Sequence, residues 1–247
     1  MDSFGLNKVA VVTGGSRGIG RGVAFELAAR GYAVIVNYAS SRSDADEVVE
    51  EIEKNGSRSI AIQGDVGDVE TARRLFDAAE LEFGGVDVLI NNAGVLVVEP
   101  ISEMTQETFD RVIAINVSGT FRGIKQAASR MRNGGRIVNF SSTALHTSFP
   151  GYVAYNASKA AVEAMTKVLA KELAPRRITV NTVAPGPVAT ELFFDGKSPQ
   201  KVEDMARLSP FNRLGEVADV VPLVAFLCSP QGSWVSGQSI RVNGALA

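Results

Sequence analysis

The chain has 247 residues, a formal net charge of −2, 45% hydrophobic and 21% charged residues, an ordinary globular balance that argues against disorder and offers no basic surface for nucleic acid or an anionic membrane. Its one cysteine, Cys228, excludes an intrachain disulfide and a cysteine-rich metal site, and fits a reducing, cytoplasmic setting. The N-terminal run M-D-S-F-G-L-N-K lacks a charged segment leading into an apolar one, and nothing later approaches the ~20 apolar residues of a membrane span, so the chain reads as soluble and unprocessed.

Val9-Ala-Val-Val12 is a short β-branched strand that runs through Thr13 into the glycine turn Gly14-Gly-Ser16-Arg17-Gly18-Ile19-Gly20 and the helical pattern Val23 to Arg30. Strand, glycine turn and helix together present backbone N–H groups and a positive helix end to a phosphate. Gly31 stops that helix, and the strand Ala33-Val-Ile-Val36 closes a β-α-β unit of the length a dinucleotide needs. The alternation continues: helix Asp44 to Asn55, strand Ser59 to Ile62, helix Val69 to Phe83, strand Val86 to Ile90, then Asn91-Asn-Ala-Gly94. A long helix is expected within Thr105 to Met131, with a break near Gly119, before the strand Arg136 to Phe140. A helix from about Tyr152 to Leu173, a strand Ile178 to Val183, a helix Val217 to Cys228 and a strand Ser239 to Val242 complete the pattern. Parallel strands joined by helices predict a doubly wound α/β sheet in a single domain, 1–247, with a substrate-loop insertion at about 187–213 that holds the apolar patch Leu192-Phe-Phe194 and a short helix from Pro199 to Arg207.

The chemistry lies between Ser142 and Lys159. Tyr155 and Lys159 are four apart and share one helix face; a cation so close is expected to pull a phenol down from pH ~10 and make Tyr155 a general acid or base. Ser142 follows a strand directly, at the edge where open α/β sheets bind ligands. A lone Y-x-x-x-K is more often a surface pair, so its context decides. After the second strand stands Asn37-Tyr-Ala-Ser-Ser-Arg42, with no carboxylate before Asp44; with Arg17 in the glycine turn this favours a ribose 2′-phosphate, hence NADPH/NADP+ over NADH. Capping of the next helix is the competing role of Ser40, Ser41 and Arg42.

Other motifs carry less. Gly14-Gly-Ser16-Arg17-Gly18 matches the nucleophile elbow G-x-S-x-G, yet it follows the first strand, with no earlier strand to supply an oxyanion loop and only His146 as a base. His146 is either a pocket residue or a solvated loop histidine. No His, Cys or carboxylate cluster has metal-ligand spacing. Arg122, Lys125, Arg130 and Arg132 form a modest basic stretch, a solvated or subunit-contact face in preference to a docking site for an acidic carrier.

Thr13 to Gly20, Asp65-Val66, Asn91 to Gly94, Asn116, Ser142, Tyr155-x-x-x-Lys159 and Pro185-Gly186, in that order and spacing, resemble the short-chain dehydrogenase/reductase family over nearly the whole chain. The resemblance implies a Rossmann-type sheet of seven parallel strands with helices on both faces and a homotetramer. It implies Tyr155 as proton donor, Ser142 orienting the carbonyl, Lys159 binding the nicotinamide ribose and lowering the Tyr155 pKa, and Asn116 supporting a water-linked proton relay. The glycine turn (Gly14, Ser16, Gly18, Ile19, Gly20) would hold pyrophosphate, Asp65 and Val66 adenine, the run Asn91, Asn92, Ala93 and Gly94 the adjoining ribose region, and Pro185 to Thr190, with Gly186 and Val188, the nicotinamide. Arg17 with Ala39, Ser40 and Ser41 looks like a 2′-phosphate site. Val242-Asn-Gly-Ala245 departs from the family's usual V-D-G-G, with no catalytic consequence. The expected activity is NADPH-dependent reduction of a ketone or aldehyde, the alternatives being reduction of a 3-oxoacyl group on acyl carrier protein and a non-catalytic NADP(H)-binding sensor. His146, Phe149, Tyr152, Pro187, Leu192 and Phe193 are the candidate pocket residues, with Val95 to Val98 and Phe194 beside them, and suggest an apolar or aromatic substrate.

Overall fold

The computed structural model describes residues 5–247; Met1 to Phe4, the start of the N-terminal stretch considered above for a leader, lie outside the described residues. Seven parallel strands form one sheet in the order β3-β2-β1-β4-β5-β6-β7: β1 Val9–Val12, β2 Ala33–Tyr38, β3 Ser59–Gln63, β4 Val88–Asn91, β5 Arg136–Phe140, β6 Thr179–Pro185 and β7 Ser239–Val242. The strand order reverses between β1 and β4, the switch point beside which open sheets leave a crevice at the carboxyl ends of their strands.

Side-chain alternation splits the core into two layers. On one face Ala10, Val12, Val34 and Val36 pack with Val23 and Leu27 of α1 (Gly18–Ala29), Val48 and Ile52 of α2 (Arg42–Lys54) and Val220 and Val224 near the chain's end. On the other, Val9, Val11 and Ile35 pack with Leu75 and Phe76 of α3 (Thr71–Phe83) and with Ile124 and Ala127. Strands covered on both faces are apolar throughout, and β1, β2 and β4 are buried along their whole length.

The long helix expected within Thr105 to Met131 divides, as expected near Gly119, into α4 (Gln106–Ile113) and α5 (Thr120–Arg130), joined by one wide π turn, Ala114–Gly119. A Cβ on Gly119 would stand 2.8 Å from Val66 Cγ2, so the helix packs here against the loop after β3. A short helix the sequence did not suggest, α6 (Ala144–Thr147), precedes the long α7 (Val153–Glu172). The segment after β6 holds α8 (Glu191–Phe194) and α9 (Pro199–Arg207), and α10 (Val217–Cys228) leads to β7. Among the described residues no helix is long and apolar enough to cross a membrane.

Candidate active site

The glycine turn between β1 and α1 shapes the first half of the site. Gly14 lies at φ +61°, and a Cβ on Gly20 would fall 2.1 Å from the Gly14 carbonyl oxygen, so any larger residue at position 20 would push the turn apart. Arg17, in extended conformation, makes no side-chain cap to α1, whose first turn carries no acid. The uncapped N–H groups and positive helix end are therefore open to an anion. The turn is fixed from both sides: Asn37 Oδ1 accepts from Gly14 N–H (3.3 Å), and Asn92 Nδ2 donates to the carbonyls of Thr13 and Gly14 (3.0 Å each).

In front of this turn runs a groove of about 340 Å³, lined by Gly14, Ser16, Arg17, Gly18, Ile19, Ala39, Ser40, Ser41, Asp65, Val66, Ala93, Gly94 and Thr190. Their chemistry fits a dinucleotide. At the β2 end the lining residues Asn37, Tyr38, Ala39, Ser40 and Ser41 bring no carboxylate, and Arg17 faces the same groove, a composition that suits a phosphate on the ribose. Arg17 Nη1 is paired with Glu191 Oε2 at 3.3 Å across the groove, both side chains being largely exposed. Asp65 is held by the Arg111 guanidinium (Nη2 to Oδ2, 2.5 Å) and the Gly67 N–H (2.7 Å). Burial pushes its carboxyl up, but these donors outweigh it and keep the pKa below the usual range.

Two expected cofactor residues lie elsewhere. Asn91 points into the core, where its Nδ2 donates to Asn139 Oδ1 at 2.8 Å, because it is the last, inward-facing residue of β4; its neighbour Asn92 lines the groove instead. Gly20 does not line the groove and serves the close approach within the turn. Asn92, within the Asn91 to Gly94 run expected near the ribose, does line the groove, and Asn37, at the end of β2, and Arg111 are lining residues that no sequence motif assigned.

The groove opens into a second cavity of about 170 Å³, with Ile19, Asn92, Gly94, Val95, Thr190 and Leu192 lining both. Ser142, Tyr155 and Lys159 meet in this cavity, joined by Pro185, Gly186, Val188 and the expected pocket residues Phe149, Tyr152, Pro187, Leu192 and Phe193. Val95 and Leu96 contribute, whereas Val97, Val98 and Phe194 do not. His146 is exposed and lies outside the cavity, because α6 turns it to solvent while Ala144 and Thr147 face inward.

Ser142 sits just beyond β5, and its Oγ accepts from Ala144 N–H at 3.1 Å. The preceding Ser141 donates to Glu163 Oε1 at 2.8 Å, which ties the end of β5 to α7. On α7 the Tyr155 ring packs edge-on to Tyr152, at 6.2 Å between centroids, and Tyr152 in turn meets Phe149. Lys159 is buried, and its Nζ donates to the Phe140 carbonyl at 2.9 Å.

The Tyr155 pKa moves opposite to the direction expected from its spacing to Lys159. Burial raises the phenol above its ordinary value, a hydrogen bond with Ser142 opposes this, and Tyr152 adds to it. Lys159 Nζ is 5.6 Å from the phenol's ring centroid and is itself pushed down to about 8 by burial. At neutral pH Tyr155 is therefore a protonated donor.

Asn116 lies buried in the π turn with its side chain consumed: Oδ1 accepts from Val95 N–H (2.9 Å), and Nδ2 donates to the Val95 carbonyl (2.9 Å) and to Ser158 Oγ (3.0 Å). Ser158 Oγ donates to the Tyr155 carbonyl at 2.7 Å, so Asn116 fixes the wall at Val95 and braces the backbone of Tyr155. It does not line the cavity, and its hydrogen bonds hold Val95 and the start of α7 in place. Among the described residues no group of His, Cys and carboxylates is arranged to hold a metal ion.

The comparisons agree with this geometry. The family model described as enoyl-(acyl carrier protein) reductase matches residues 14–246. The NADPH-dependent aldehyde reductase-like protein, chloroplastic, of Arabidopsis thaliana is 47% identical over 253 residues, covering 96% of this chain and 93% of that protein. The short-chain dehydrogenase/reductase from Serratia marcescens superposes with a TM-score of 0.94 at 36% identity, covering 98% of this chain and 99% of that one. A blue fluorescent protein from a metagenomic library, solved in complex with NADPH, gives 0.93 at 38% identity with 98% of each chain covered. With a matching family model, a relative of nearly equal length and a sheet edge that assembles Ser142, Tyr155 and Lys159, this chain belongs to the short-chain dehydrogenase/reductase family.

Proposed function

We propose that the enzyme reduces a ketone or aldehyde carbonyl with NADPH, and runs the reverse alcohol oxidation, with Tyr155 as general acid. Its class follows from its family: it is an oxidoreductase, and the NADPH in the names of its relatives and neighbours agrees with the carboxylate-free β2 end of the groove. The observation that carries the reading is the meeting of Ser142, Tyr155 and Lys159 in a cavity continuous with the dinucleotide groove.

When bound, the nicotinamide supplies the hydride. Tyr155, kept protonated by burial, donates its proton to the carbonyl oxygen as negative charge develops there. The Ser142 hydroxyl donates its one proton to that oxygen and orients it. Lys159 keeps one N–H on the Phe140 carbonyl and has two more for the ribose hydroxyls; its positive charge favours the phenolate once the proton has left. The apolar walls from Leu96, Phe149 and Phe193 exclude water from the reacting carbon. The reading gives residues 187–213 the part of the substrate loop. A panel of ketones, aldehydes and acyl thioesters followed by NADPH absorbance tests it, and consumption with no member of the panel would count against carbonyl reduction.

The acyl carrier protein alternative rested on the basic stretch of α5. Most of that charge is spent inside the molecule: Arg130 pairs with Asp77 and Glu80, Arg132 with Asp87, and Arg122 donates to the carbonyls of Val66 and Gly67. A docking surface for an acidic carrier is correspondingly weak there. The sensor reading gives way to the enzyme class. A homotetramer is supported by exposed apolar side chains on α5, α7 and α10 (Phe121, Val168, Phe226) and by Trp234, 97% exposed; sedimentation velocity decides it. The lone Cys228 is buried, with its thiol pushed up to about 12 by burial, which suits an inert core residue and the cytoplasmic location we favour.

A further inference from the structure

We propose that the cavity selects an apolar or aromatic carbonyl compound bearing a carboxylate remote from the reacting carbon, and that Lys197 is the residue that binds this carboxylate. The proposal rests on the carbonyl-reductase reading above and concerns which carbonyl compounds that site accepts.

The charges around the cavity are one-sided. Among the described residues Lys159 and Lys197 line it, and no Asp, Glu, His or Arg does. Lys159 is held by the Phe140 carbonyl, and its remaining N–H groups are assigned to the ribose. Lys197 is not held in this way: among the described residues it makes no ion pair and no side-chain hydrogen bond, and its ammonium stands 4.9 Å over the ring of Phe193. Burial is the main influence on Lys197 and lowers its pKa; Asp195 raises it and Lys201 lowers it through space. Asp195 acts on this ammonium only through space and forms no ion pair with it, so the half-buried Lys197 is a poor host for a second cation and a good one for an anion.

Its support is built in. Phe193 is buried, and its N–H donates to the hydroxyl of Thr190, the N-cap of α8, at 3.3 Å. Thr190 lines both the cavity and the groove, so the ring beneath Lys197 is fixed by a residue at the junction of substrate and cofactor. A cation resting on an aromatic face is positioned without being neutralised. In the same lining, Leu96 and Phe149 offer apolar contact and Tyr152 an aromatic ring to the body of a substrate.

The test compares benzaldehyde, 4-carboxybenzaldehyde and 4-(trimethylammonio)benzaldehyde with wild type, Lys197→Gln and Lys197→Glu, reading kcat/KM from NADPH consumption. Changes between variants cancel the intrinsic reactivity of each aldehyde. Lys197→Gln should lower kcat/KM for the carboxylate about tenfold relative to benzaldehyde, chiefly through KM, the size of one charge-assisted hydrogen bond at a partly exposed site. Lys197→Glu should turn the preference toward the trimethylammonium compound. A carboxylate-to-neutral ratio that is the same in wild type and both variants would overturn the proposal. If wild type reduces none of the three, the reductase reading fails separately, and calorimetry on the NADP+-bound protein decides the inference: 4-carboxybenzaldehyde binding wild type about tenfold tighter than Lys197→Gln supports it, and equal affinity overturns it.

Discussion

Arg17 and Glu191 face each other across the groove, and their pairing makes cofactor preference a quantitative matter. The Nη1 to Oε2 distance is 3.3 Å, and the two side chains are 55% and 68% exposed, so the ion pair itself is worth at most about 1 kcal/mol. A 2′-phosphate offers Arg17 charge-assisted hydrogen bonds worth about 1.5–3 kcal/mol and displaces the carboxylate at small cost. Replacing Arg17 by Ser should therefore weaken NADPH about 10- to 150-fold while hardly changing NADH, which has no group there. Replacing Glu191 by Gln should do the reverse and tighten NADPH up to about fivefold by removing the competitor. The gain from Glu191→Gln should vanish in the Arg17→Ser background, since the double-mutant cycle isolates their coupling. Dissociation constants for NADPH and NADH, with kcat/KM for each at fixed ionic strength, are the assay. Equal losses with both cofactors in Arg17→Ser, or an Arg17-independent effect of Glu191→Gln, would refute the reasoning.

Two further outcomes concern the supporting groups. Asn116→Ala leaves the N–H and carbonyl of Val95 and the Ser158 hydroxyl without their partner; a loss of about 2 kcal/mol or more, roughly 4–8 °C in Tm, with a lower kcat, is expected, and an unchanged melting curve would contradict the positioning role. Lys159→Met abolishes turnover and alters stability with a defined sign. The Lys159 pKa falls from 10.5 to about 8 on folding, which corresponds to about 3 kcal/mol. Below about pH 8 the lysine is charged in both states and the penalty is full; from there to 10.5 the unfolded chain holds the extra proton, so wild type gains stability as pH rises. The stability of Lys159→Met relative to wild type should therefore fall across that window, and a flat difference in thermal melts between pH 7 and about pH 10 would refute the assignment.

Much of this was legible because the relevant signals are local. β-branched runs punctuated by glycine predict the β1-α1-β2 unit, and residues placed just past strand ends, such as Ser142, are brought to the sheet edge by topology alone. What escaped depends on partners far away in the chain. The break near Gly119 was legible, but its form, a π turn over Ala114–Gly119, depends on how the helix packs against the loop after β3. Whether Asn91 or Asn92 faces the groove depends on where β4 ends, a matter of one residue that reverses the side chain. The sign of the Tyr155 shift follows from burial, which spacing from Lys159 cannot report. The basic stretch of α5 appeared available because Asp77, Glu80 and Asp87, which neutralise Arg130 and Arg132, are distant in sequence. Lys197 carried no motif at all.

The most direct test of the account is Tyr155→Phe. The ring should keep its place beside Tyr152, and only the proton is lost. NADPH affinity should stay as in wild type, while single-turnover hydride transfer to a reducible aldehyde falls about 10²- to 10⁴-fold. Wild-type turnover by this variant would contradict the assignment of Tyr155 as the general acid and, with it, the mechanism built on the cavity.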